Sequence, residues 1–308
     1  MFTKKMPCVK ILIWREGDTM QLHFTKMEGL GNDYVYINCL KEQITNPTAL
    51  SRKISDRHFG IGADGLILIK PSDRADFAME MYNADGSSGA MCGNGIRCVG
   101  KYVYDYGLTD KEQLTIETNA GIRSLTLHFA APETKENQSR KYVCAVTVQM
   151  GCPILDVSLI GLNLQGCKTF IDTPIVVGTS HYNVSCVSMG NPHCVLFVDD
   201  VADAPVHSVG PYIEHLPMFI DRTNVEFVQI MDTEHIHLRV WERGSGETMA
   251  CGTGACAAMV VSRLLGKTKS EVEVTLSGGK LFVAWNHHDD NVYMTGPAST
   301  VYDGVIQI

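Results

Sequence analysis

Along the chain the apolar positions change their period several times, and each change marks an element. "FAMEMY" (77–82) and "IHLRVW" (236–241) alternate apolar and polar residues, the pattern of strands with one buried face. "GLILIK" (65–70) is a short apolar run that reads as a further strand. "PTALSRKISDRHFG" (47–60), "GIRCVGKYVYDYG" (95–107) and "GACAAMVVSRLLG" (254–266) read as helices, the last two strongly apolar. Two more strand-rich stretches, 113–130 and 271–286, follow those apolar helices.

The order of these elements repeats. Cys92 and Cys251 stand 159 positions apart, and the same offset relates Asn32 to Asn191, Gly93 to Gly252 and Gly95 to Gly254. It also lays "ADGLILI" (63–69) over "RTNVEFV" (222–228), and "DFAMEMYN" (76–83) over "HIHLRVWE" (235–242), so that Asn83 falls on Glu242. One shared Cys-Gly-x-Gly would be coincidence; several anchors at one spacing imply two homologous halves. Each half reads as strand, Gly-Asn turn, helix, two strands, Gly-rich loop, apolar helix, then more strands. That content predicts an α+β fold of two pseudo-symmetric domains, each a curved mixed or antiparallel sheet wrapped around a central helix. The polar segment 131–141 is the natural linker, and residues 1–19 precede the first strong pattern as an extension.

Composition narrows the class. A chain of 308 residues, 45% hydrophobic and 19% charged, has the material for two packed domains. The net charge of −8, without a basic patch, argues against a nucleic-acid partner. No apolar run reaches the roughly 20 residues that span a bilayer, and "VKILIW" near the start is broken by Lys10 and closed by Arg15 and Glu16, too short for a signal core. Eleven cysteines, an odd number without a CxxC pair, imply a reducing cytoplasm rather than a disulfide framework.

Two of those cysteines have a special setting. Cys92 and Cys251 each open an apolar helix and are flanked by glycines, where free N–H groups and the helix dipole favour an anion. The expected effects are thiol pKa values lowered towards neutrality and a seat for a substrate carboxylate. If a two-fold relation places the thiols face to face, one can accept a proton from a stereocentre while the other delivers one to the opposite face. The donor-rich helix ends would stabilise the enolate-like charge. Cys98 and Cys256 inside the helices, and Cys39, Cys144, Cys152, Cys167, Cys186 and Cys194, read instead as small core residues. Structural zinc does not suit these spacings. A Cys92–Cys251 disulfide under oxidation, a non-catalytic dithiol sensor, and a pyridoxal-phosphate racemase with a Schiff-base lysine stay open at this point.

"NADGSSGAMCGNGIRC" (83–98) and "ERGSGETMACGTGACA" (242–257) resemble the two signature blocks of diaminopimelate epimerases, and "GLGNDY", "GNPH" and "RTNVEF" occur in the matching order. The resemblance runs from about Met20 to Ile308. It implies a cofactor-independent, metal-free isomerase that interconverts LL- and meso-2,6-diaminopimelate, on the route to lysine and peptidoglycan. By the same resemblance Cys92 and Cys251 are the acid/base pair, Cys92 as donor and Cys251 as acceptor in one direction. The N–H groups of Gly93, Asn94, Gly252 and Thr253 would hold the reacting carboxylate. Asn32, Asn83, Asn191, Asn224 and Arg243 would bind the distal amino-acid end, with Glu242 and His193 as auxiliary groups at the reacting ammonium. The resemblance further implies domains at 20–132 plus 297–308 and at 137–296, the C-terminal strand returning to the first. A homodimer, with Tyr302 as a candidate contact, belongs to the same expectation. Some family members carry Gln where this chain has Gly65, so no side-chain contact is expected from that position.

Overall fold

The computed structural model describes residues 21–130 and 141–308. The extension 1–19 and most of the linker 131–141 lie outside the described residues. The first half runs β1 (Gln21–Gly29), β2 (Asn32–Asn38), α1 (Pro47–Ser55), β3 (Gly65–Lys70), β4 (Phe77–Asn83), β5 (Ser88–Gly89), α2 (Gly93–Asp105), β6 (Gln113–Thr118) and β7 (Gly121–Phe129), and leads to β8 (Val143–Gly151). The second continues with α3 (Val157–Ile160), β9 (Thr173–Val177), β10 (Ser180–Ser188), β11 (Pro192–Phe197), α4 (Val206–Glu214), β12 (Asn224–Ile230), β13 (His235–Glu242), β14 (Gly246–Thr248), α5 (Gly252–Leu264), β15 (Glu271–Leu276), β16 (Gly279–Trp285) and β17 (Val292–Pro297). A last strand, β18 (Ser299–Gln307), pairs antiparallel with β1.

The sequence offset survives in three dimensions. The spans of α1 and α4, and of α2 and α5, are separated by that same offset at both ends. The parallel pair β2–β3 sets Tyr34 opposite Gly65, and β11–β12 sets His193 opposite Asn224, the equivalent register. The two sets of strands join where β8 pairs antiparallel with β17, with Thr147 and Thr295 hydroxyls 2.6 Å apart across the seam. Among the described residues, all eighteen strands thus form one sheet folded around two helices.

Those helices are the core. Ala255 to Val261 in α5 are wholly buried, and so are Ile96, Cys98, Val99 and Val103 in α2. A helix apolar on every side can be satisfied only by enclosure, at about 1.5–3 kcal/mol for each large aliphatic side chain removed from water. Gly100 lets α2 lie close on β7, since a Cβ there would stand 2.9 Å from Leu125 Cδ2. Outside the sheet, α1 and α4 cover smaller apolar layers.

Helix bounds differ modestly from expectation. Asn46 caps α1 by accepting the Ala49 N–H at 3.0 Å, with Pro47 following it. The helix stops at Ser55 rather than Gly60, because Asp56 turns to φ −58°, ψ 123° and the Ile61 and Gly62 N–H groups fold back onto the Ile54 carbonyl. Helices α2 and α5 each begin two residues earlier than their apolar pattern, at the glycine after the cysteine.

Candidate active site

The first residues of α2 and α5 abut. A Cβ on Gly93 would lie 3.7 Å from the Gly252 Cα, and one on Gly252 would lie 3.6 Å from the Gly93 Cα. Met294 of β17 packs against both glycines, and Asn94 Nδ2 donates to the Ala250 carbonyl at 3.0 Å, fastening one half to the other. Two helix N-termini, each with unpaired N–H groups and a positive dipole end, therefore converge on one place. Each cysteine occupies the N-cap position in extended geometry, Cys92 at φ −123° and Cys251 at φ −115°, and Cys92 alone of the two caps with its side chain.

On the Cys92 side, Sγ accepts the Gly95 N–H at 3.3 Å, and the thiol donates to Asn32 Oδ1 at 3.3 Å. Asn32 Nδ2 donates to Asp64 Oδ2 at 2.7 Å. A carboxylate only accepts, so Asp64 fixes which end of the Asn32 amide is left for the cysteine. Asp64 is itself held by the Asp33 N–H and by Arg57, which also grips Asp33 at 2.7 Å; Lys26 completes the cluster. Burial raises the pKa of Asp33, but Arg57 and Lys26 outweigh it and hold this carboxyl below the usual range.

On the Cys251 side, Sγ lies 3.5 Å from Thr253 Oγ1, and the Glu242 carboxyl acts on the thiol through its charge. Glu242 also accepts the Thr248 hydroxyl at 2.5 Å. Its pKa is raised, chiefly by burial, and its charge bears on both thiols. Fully buried His193 bridges Glu226 Oε1, 2.7 Å from Nδ1, and Asn191 Oδ1, 3.0 Å from Nε2. Asn224 donates to the Pro192 carbonyl at 3.3 Å and accepts the Arg243 N–H at 2.9 Å. The Arg243 guanidinium is exposed and donates to the Asp221 carbonyl at 2.8 Å. Asn83 ends β4 opposite Gly65, with Nδ2 on Ser87 Oγ at 2.9 Å. Gly65 has no room for any side chain, since a Cβ would stand 2.1 Å from the Tyr82 carbonyl oxygen.

The expected fall of the thiol pKa values does not occur. Burial pushes Cys92 up, only partly offset by the Gly95 and Asn94 N–H groups, and pushes Cys251 well up, with Glu242 and Glu226 adding to it. At both sulfurs desolvation outweighs the helix end. The remaining described cysteines divide: Cys98, Cys186, Cys194 and Cys256 are buried, Cys39 is half-buried, and Cys144, Cys152 and Cys167 are exposed rather than core residues. Cys144, for instance, falls on the outward side of alternating β8.

Three supporting groups escaped the sequence reading: Asp64, Arg97 and Glu226. Glu226 left a signal, a lone carboxylate inside the apolar run "NVEFV", and Arg97 another, a charge among the buried residues of α2. Asp64, in a loop before β3, left none.

Comparison with known proteins identifies the family. The family model described as "Diaminopimelate epimerase" matches residues 24–153 and 185–301. A diaminopimelate epimerase of Acetivibrio thermocellus is 48% identical over 93% of this chain and 99% of its own length. One of Methanococcus maripaludis strain C6 is 50% identical over 93% of this chain and all of its own. In fold, the chain is similar to a hydroxyproline epimerase from Agrobacterium vitis, with a TM-score of 0.66 at 14% identity, covering 93% of this chain and 91% of that one. A PhzF-family protein of Bacillus anthracis matches with a TM-score of 0.66 at 15% identity, covering 94% of this chain and all of its own.

Proposed function

The chain belongs to the diaminopimelate epimerase family and is an isomerase of diaminopimelate, and we propose that Cys92 and Cys251 carry its proton transfers without a cofactor. One sulfur, as thiolate, takes the α-proton of LL-2,6-diaminopimelate, and the electron pair of the C–H bond passes into the adjoining carboxylate. The other sulfur, as thiol, gives its proton to the opposite face of the same carbon, yielding the meso isomer. The two cysteines have then exchanged protonation states, and the reverse reaction uses them in the opposite roles. The observation that carries this reading is the junction of α2 and α5, which aims two N-termini, each with its own cysteine, at one point.

The N–H groups of Gly93, Asn94, Gly252 and Thr253 bind the carboxylate and stabilise the charge it gains. Glu242 receives the reacting ammonium, with His193 behind it. That cation offsets the Glu242 charge, which adds to burial in raising both thiol pKa values, so binding itself brings the thiolate closer to reach. Asn32, Asn83, Asn191, Asn224 and Arg243 bind the distal end, the guanidinium suiting a carboxylate in a two-pronged contact. We further assign residues 20–132 with 297–308 and residues 137–296 to the two domains, and a cytoplasmic homodimer as the working form.

The test is incorporation of solvent deuterium into diaminopimelate. The native enzyme exchanges the α-proton while interconverting the isomers. Cys92→Ala and Cys251→Ala should each lose epimerisation by a factor of about 10²–10⁴, the usual worth of a positioned acid or base. Epimerisation at the native rate by either variant would overturn the assignment.

A further inference from the structure

The two halves repeat strand for strand, yet each thiol has beside it a buried ion that the other half lacks. Arg97, wholly buried in α2, donates through Nε to the Pro297 carbonyl at 3.1 Å and through Nη1 to Gly93 O at 3.2 Å. The repeat places Cys256 at the equivalent position of α5. Glu226, wholly buried in β12, holds His193, and its Oε1 would lie 2.9 Å from a Cβ on Gly254, in the turn that Cys251 caps. The repeat places Ile67 there in β3. Among the described residues, Arg97 Nη2 and Glu226 Oε2 are buried without a hydrogen-bond partner. An unpaired buried polar atom costs about 1–3 kcal/mol, and the opposite half builds the same positions from uncharged residues, so the fold itself does not require these ions.

We propose that Arg97 and Glu226 are positioning residues that make the thiol pair unequal, so that in the free enzyme Cys92 surrenders its proton at lower pH than Cys251. The proposal rests on the acid/base roles assigned above. Cys92 is faced by Arg97, Cys98 and the Asn94 and Gly95 N–H groups from α2, by Asn32, Tyr34 and Tyr36 from β2 and by Glu242 from β13. Cys251 is faced by Thr253 and Gly254 from α5, by Glu242 from β13 and by Glu226 from β12, with His193 of β11 beyond it. Glu242 acts on both. Asn32 Oδ1 favours the proton on Cys92, while Arg97 and the N–H groups oppose it. At Cys251 the Thr253 hydroxyl and the Gly254 N–H oppose the proton, but Glu226 adds its charge to that of Glu242, and Cys256 stands where the other half has Arg97. A resting enzyme so biased holds its base ready on one face of the substrate. The isomer that needs the base on the other face must wait for a proton to pass between the sulfurs.

Alkylation by iodoacetamide, followed across pH for each cysteine peptide by mass spectrometry, reads the two thiols separately. In the native protein the Cys92 midpoint should lie below that of Cys251. Glu226→Gln keeps an acceptor for His193 but removes the charge. It should lower the Cys251 midpoint by about one pH unit, a tenfold change in labelling rate on the rising limb, and leave Cys92 in place. Arg97→Met should raise the Cys92 midpoint, and Arg97→Lys should restore it. Should Arg97→Met fail to fold, Glu226→Gln alone decides. Coincident midpoints in the native protein, or an unmoved Cys251 in Glu226→Gln, overturn the proposal. Labelling does not depend on turnover, so loss of the epimerase roles assigned above would appear in the deuterium assay and not here.

Discussion

At the scale of single residues, the chemistry of each cysteine is set by partners one bond further out. Asn32 can present either an oxygen or an N–H to Cys92, and these have opposite effects, since an acceptor favours the thiol and a donor favours the thiolate. Asp64 decides between them by occupying Asn32 Nδ2 at 2.7 Å. Asp64→Ala frees the amide to turn its N–H towards sulfur. The expected result is a shift of the acidic limb of the kcat/KM profile to lower pH, because the Cys92 pKa falls. A loss of kcat of about tenfold should accompany it, as a misplaced group costs rate before it costs binding. Steady-state kinetics from pH 5 to 10 would check this, and an unmoved acidic limb would show that Asn32 is oriented by something other than Asp64.

At the scale of elements, the decisive contact is glycine against glycine. Gly252 leaves room for the two helix ends to meet, and a Cβ there would stand 3.0 Å from Met294 Sδ and 3.2 Å from its Cε. Gly252→Val should therefore wedge the junction open, at about 1–3 kcal/mol of overpacking, and lower kcat at least tenfold. Urea midpoints measured beside turnover would test it; a fully active variant would mean that the helix ends need not touch. This junction was legible in the chain only as two Cys-Gly-x-Gly segments and one offset. The offset predicted the central helices, and the parallel pairings β2–β3 and β11–β12 keep it, because repeated patterns of burial impose repeated registers. The seam between β8 and β17 was hidden, since the segment preceding β8 has no counterpart at the same spacing and strand partners far apart in sequence carry no periodic signal. Thiol pKa values were misjudged for a related reason: the helix dipole is visible in sequence, whereas the depth of the sulfurs depends on how the halves close.

For the whole molecule, one continuous sheet and one apolar cluster shared by α2 and α5 tie both halves into a single body. β18 adds to this by crossing back to β1, with Tyr302 set edge-on against Phe24 at 5.9 Å between ring centres. The centre of that body holds protons tightly. Burial lifts the thiol pKa of Cys98 from 9.0 to about 11 and that of Cys256 to about 12. Both stay neutral in the folded protein at pH values where the unfolded chain has already ionised them, so unfolding releases protons. Their contribution to stability is complete below pH 9 and is lost as pH climbs towards 11 and beyond, at about 1.4 kcal/mol per pH unit for each thiol. The buried Tyr34 and Tyr36 phenols, raised chiefly by desolvation, act in the same direction at higher pH. Set against a typical total of 5–15 kcal/mol, the two central thiols alone should steepen alkaline unfolding. The urea midpoint is expected to fall sharply between pH 9 and 11, and to fall less in the Cys98→Ala, Cys256→Ala double variant. Equal slopes in the two proteins would place the alkaline sensitivity elsewhere than in these thiols.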